Sequence, residues 1–65
     1  MISLHQVVRV TKDVPGENVT KGMIGAVVEV YEVPRRALEV EFTDEEGRTI
    51  LLATLAEEDV EVVPG

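Results

Sequence analysis

Cysteine and tryptophan are absent from this chain, histidine occurs once, at His5, and the remaining aromatic side chains are Tyr31 and Phe42 alone. Without cysteine there is no disulfide scaffold, zinc knuckle or thiol chemistry. With one imidazole, a transition-metal site would need carboxylates converging on His5 from elsewhere in the chain. Proline-rich peptides dock on grooves lined by several aromatic side chains, and single-stranded RNA stacks on aromatics above basic grooves. Neither surface can be built here. No stretch approaches the roughly 18 apolar residues needed to span a bilayer. The opening Met1 to Gln6 has neither a basic start nor an apolar run of signal-peptide length. A soluble cytoplasmic protein with no membrane contact is therefore expected.

What is present is apolar and acidic: 45% of the 65 residues are hydrophobic and the formal charge is −7. One domain of this size buries only about 60% of the surface its unfolded chain exposes. Oligomerisation or very regular packing is the expected compensation. The charge is uneven. Residues 1–36 carry Arg9, Lys12, Lys21, Arg35 and Arg36 against Asp13, Glu17, Glu29 and Glu32, whereas residues 37–65 set Arg48 against Glu39, Glu41, Asp44, Glu45, Glu46, Glu57, Glu58, Asp59 and Glu61. The second half would repel a phosphate backbone. It reads as a solvated acidic surface, or as one offered to a basic partner.

Five short strands fit the pattern. Gln6 to Thr11 alternates, with Val8 and Val10 on one face and Val7 and Arg9 on the other. Pro15, Gly16, Asn18 and Gly22 make Lys12 to Met23 a loop. The pair Gly22 and Gly25 is expected to mark a tight bend opening the second strand, Ile24 to Glu32. Placing Glu29 in water turns Ala26, Val28 and Val30 inward and leaves Val27 and Tyr31 outside. Pro34 breaks that strand. Leu38, Val40 and Phe42 alternate with Glu39 and Glu41 as a half-buried third strand. Asp44 to Gly47 is a hairpin turn with Gly47 in the left-handed position. Arg48 to Thr54 returns as the fourth strand, in which alternation cannot choose the facing of Ile50 to Ala53. Thr54, Leu55, Ala56 and Glu57 match a capping box, so a single helical turn is expected there. Val60, Val62 and Val63 then resume β character, and Pro64 with Gly65 ends the chain. This order predicts an all-β fold, a small five-stranded SH3-like barrel with one short helical turn before the last strand.

The residues that could carry chemistry do not assemble into a site in this reading. Glu39 and Glu41 share a strand face and Asp44 to Glu46 crowd a turn, but glycosidase-type catalysis requires carboxylates of opposite protonation in a cleft. The turn lacks the spacing of an EF-hand loop. Gly22 and Gly25 lead into a strand rather than into the helix of a phosphate-binding loop. Ser3 has no base set by any motif. No catalytic, metal or cofactor residue is assigned, and the chain is not read as an enzyme.

The run Val7 to Pro15, then Lys21 to Tyr31, Leu38 to Asp44, Gly47 to Thr49 and Thr54-Leu55 resembles the small bacterial family known as domain of unknown function 4926. The resemblance spans nearly the whole chain. It implies a free-standing barrel, sometimes encoded beside toxins, and hence an antitoxin-like or accessory binding role. A looser similarity runs to ferredoxin-dependent reductase subunits and to the nucleic-acid-binding KOW motif.

The expected function is therefore binding of another protein, a toxin, an enzyme subunit or a second copy of this chain. Val7, Val27 and Tyr31 are the expected contact residues, rimmed by Arg9 and Glu29. The alternative is KOW-like nucleic-acid or translation-associated binding through Arg9, Lys12, Lys21, Arg35 and Arg36.

Overall fold

The β-branched runs do form strands: β1 (Val7–Val10), β2 (Ile24–Tyr31), β3 (Ala37–Thr43), β4 (Thr49–Leu55) and β5 (Val60–Val62). The computed structural model describes residues 1–64; Gly65, expected with Pro64 to follow the last strand, lies outside the described residues. All pairings are antiparallel and the order is β4-β3-β2-β1-β5 in one sheet. The expected five strands and the short turn before the last are present, the turn as a 3₁₀ segment at Glu57–Asp59. The expected barrel closure is not: β4 and β5 remain as two edges of an open sheet. Unpaired edges invite wrong pairing. Here β5 is only three residues long, and on β4 the Thr54 N–H donates to a carboxylate oxygen of Glu17 at 2.8 Å, a residue of the 3₁₀ turn Pro15–Glu17 in the first loop.

One face of the sheet holds the core. Val8, Val10, Val27, Leu38, Val40, Phe42, Ala53, Leu55 and Val60 are buried together with Ile2 and Val19. Burial this complete on one face requires the sheet to curl over itself, with Ile2 from the N-terminus and Val19 from the first loop filling in. The alternation expected in β1 and β3 holds residue by residue. In β4, Ala53 and Leu55 point inward, Leu51 packs against the core, and Leu52 and Thr54 point out.

Strand β2 departs from expectation. Val27 pairs with Val40 but Glu29 pairs with Glu39, so Val28 is an extra residue at a bulge. Val28 and Glu29 together oppose Glu39, and the strand's phase shifts by one. Before the bulge Gly25 and Val27 face the core; after it Val30 does, and Tyr31 faces out. Val27, expected outside, is therefore buried, while Val28, expected inside, is exposed. Glu29 faces water as expected, but that fact could not set the phase upstream of a bulge.

Two further expectations are corrected. Gly22 is the turn glycine, at φ +97°, whereas Gly25 is a buried residue within β2. A Cβ on Gly25 would lie 2.6 Å from the Glu41 carbonyl oxygen and 2.8 Å from both Phe42 Cδ1 and Val40 Cγ1, so the small residue serves a close approach rather than a bend. The capping box does not form. Thr54 belongs to β4 and its hydroxyl donates to Glu39 Oε1 at 2.7 Å. Glu57 instead accepts the Ile2 N–H at 2.9 Å and pairs with Arg36 at 2.5 Å. The Arg36 guanidinium also donates to the Ile2 carbonyl and to Glu32. These bonds pin the N-terminal segment over the end of the core.

A candidate protein-binding face

Residues directly opposite across an antiparallel ladder share a face. The face turned away from the core can therefore be read from the register. One row runs Val7, Ala26, Glu41, Leu52 across β1 to β4. It is extended past β5 by Val63, whose N–H donates to the Val7 carbonyl at 2.9 Å. On one side Arg9 stands opposite Ile24 and Glu61. On the other, Glu29 stands opposite Glu39, which stands opposite Thr54. Bulges add Val28 to β2 and Ile50 to β4.

The apolar members of this face are open to solvent: Val7 is 43% exposed, Ile24 51%, Val28 40%, Ile50 61% and Leu52 53%. Val7, Ile24 and Val28 lie on the paired strands β1 and β2, and Ile50 and Leu52 lie on β4, with the outward carboxylates of β3, Glu39 and Glu41, between the two groups. Exposed apolar side chains grouped on a sheet face and rimmed by polar ones mark interaction sites more often than ordinary surface does. Beside Val7 a shallow groove of about 480 Å³ is lined by Gln6, Val7, Val62, Val63 and Pro64.

The five expected contact residues are distributed unevenly. Val7 is on the face and exposed. Arg9 is on it too, bound to Glu61 at 3.1 Å. Glu29 is exposed, directly opposite Glu39. Tyr31 lies on the outward side but pairs with Ala37 at the far end of β2, five residues from Ala26 and so about 16 Å along the strand. Val27 is beneath the sheet in the core. Ile24, Val28, Ile50 and Leu52 were not picked out by the sequence. Val28 and Ile50 are bulge residues, Leu52 sits in an unbroken apolar run, and Ile24 lies upstream of the bulge that shifts the phase of β2, so no periodic signal could have assigned them.

The basic residues are largely engaged within the chain. Lys12 pairs with Asp59 at 3.0 Å, and that hydrogen bond and charge raise the lysine above its ordinary pKa. Arg36 is raised in the same way by its hydrogen bond to Glu57. Arg48 pairs with Asp44 at 2.9 Å and Glu46 at 2.6 Å. Among the described residues, Lys21 and Arg35 make no ion pair. Also among the described residues, no group of three or more His, Cys, Asp or Glu side chains is placed to hold a metal ion, and His5 is exposed. No helix of the described residues is long and apolar enough to cross a membrane.

Fold and surface together define a small all-β domain, one curled antiparallel sheet with a covered face and an open one. Residues 4–62 match the family described as Domain of unknown function (DUF4926), and the chain belongs to it. No curated protein and no solved structure matches the chain.

Proposed function

We propose that this chain is a non-catalytic protein-protein interaction module of the cytoplasm, an accessory or antitoxin-like binding partner. The observation that supports this reading is the exposure of Val7, Ile24 and Val28 on the paired strands β1 and β2, with Leu52 on the same outer sheet face beyond Glu41. Leaving such side chains in water forgoes burial of roughly 25 cal/mol per Å² of apolar surface, and a protein partner recovers it. Nucleic-acid binding is less well supported. Of its five candidate residues, Arg9, Lys12 and Arg36 are held in ion pairs with carboxylates, and freeing them would cost those contacts.

The test is affinity capture from the native host with tagged wild type, Leu52→Asp and Val7→Asp. A partner held by wild type and lost by both variants, each still folded by circular dichroism, supports the reading. A partner retained by both variants, or a salt-sensitive gel shift with RNA or DNA abolished by Lys21→Glu with Arg35→Glu, overturns it.

A further inference from the structure

The open face is not only apolar. Glu29 and Glu39 are directly opposite across the β2–β3 ladder, and Glu41 lies two residues along β3 on the same side. Like charges directly opposite on paired strands are destabilising. Among the described residues none of the three has a cationic partner. Glu39 and Glu41 accept hydroxyl hydrogen bonds from Thr54 and Thr49, and Glu29 accepts the Val30 N–H at 3.1 Å. These bonds hold the carboxylates on the face without neutralising them. Apolar side chains flank them, with Ala26 and Leu52 on either side of Glu41 and Val28 beside Glu29.

Resting on the protein-binding reading above, we infer that this face takes a cationic segment of another polypeptide, lysine or arginine side chains alternating with apolar ones. Charge complementarity selects it: basic groups meet Glu29, Glu39 and Glu41 while apolar groups cover Val7, Val28 and Leu52. The spacing fits an extended partner. Glu39 and Glu41 are about 7 Å apart along their strand, the distance between alternate side chains of a second extended chain. A second copy of this protein would bring the same three carboxylates against each other at a net charge of −7 each, and nucleic acid would meet the same repulsion.

Fluorescence anisotropy tests this with a labelled peptide alternating lysine and valine, and with the same peptide carrying glutamine for lysine. Wild type should bind the lysine peptide, more weakly as salt rises. Glu39→Gln with Glu41→Gln should weaken it about fivefold. Glu45→Gln with Glu58→Gln, which removes equal charge from exposed positions off the face, should bind as wild type. Glu29→Gln gives an independent reading if the first pair misfolds. Equal weakening by both double variants reduces the effect to net charge and overturns the inference, as does failure of wild type to bind the lysine peptide. If both peptides bind equally and Leu52→Ser weakens both, the face remains a protein-binding surface and the cationic partner is overturned by itself.

Discussion

Gly25 lies against the backbone of Glu41 so closely that a β-carbon would sit 2.6 Å from the Glu41 carbonyl oxygen. The obstructing atom is backbone in the β2–β3 ladder and cannot swing aside. Gly25→Ala should therefore destabilise by about 1 to 3 kcal/mol, as overpacking does. Gly22→Ala meets open space and suffers only from its φ of +97°, for about 1 kcal/mol. Urea denaturation of the two variants compares them, and a larger loss at Gly22 would contradict the packing role of Gly25.

Val27 and Val28 are neighbours in sequence on opposite sides of the sheet. Val27→Asp places an unpaired charge in the core at a cost of several kcal/mol, enough to unfold a domain whose total stability is on the order of 3 to 10 kcal/mol. Val28→Asp, on the exposed face, should stay folded. Circular dichroism separates them, and a folded Val27→Asp would disprove the bulge.

The opposed carboxylates of Glu29 and Glu39 give a prediction for stability alone. Glu29→Lys converts a repulsive cross-strand pair into an attractive one and should raise the denaturation midpoint, by about 0.2 to 1 kcal/mol. The gain should shrink at high salt. An unchanged or lowered midpoint at low salt would mean the two side chains do not interact.

Glu57 holds the N-terminal segment, and its folded pKa lies below the ordinary carboxylate value, chiefly because the Ile2 N–H donates to it and then because Arg36 does. Asp44 is lowered likewise by the Arg48 and Glu46 backbone N–H groups and the Arg48 side chain. A depressed folded pKa contributes stability that is present above the unfolded pKa and lost as pH falls through the folded one. Stability should therefore fall on acidification below the ordinary carboxylate range. Glu57→Gln should flatten that fall and speed hydrogen exchange at Ile2. An identical acid limb in the variant would remove Glu57 from it.

Removing the Phe42 ring, one of the largest side chains in the core, should cost about 3 to 5 kcal/mol in Phe42→Ala. That is a large share of the total stability of a chain this small. A cooperative melt near that of wild type would overturn its place in the core.

The sequence by itself determined the strands, because alternation such as Leu38-Glu39-Val40-Glu41-Phe42 has one stable reading at a water boundary. It also determined the hairpin at Asp44 to Gly47, where Gly47 has φ +83° and Asp44 closes the turn from both ends. Val7 and Arg9 were legible as outward residues because β1 alternates, and Glu29 because an unpaired carboxylate belongs in water. The facing of Val27 was not, since a bulge is set by how β2 pairs with β3 and leaves no trace in the spacing of apolar residues. The capping box failed for a related reason. Thr54 and Glu57 satisfy their local rule on paper, but Glu39 and Glu17 from distant strands and loops take Thr54, and Ile2 and Arg36 take Glu57. Only the tertiary structure decided which edges stay open and which apolar residues share the outer face. Those depend on cross-strand register, a relation between residues far apart in the chain that local propensity does not encode.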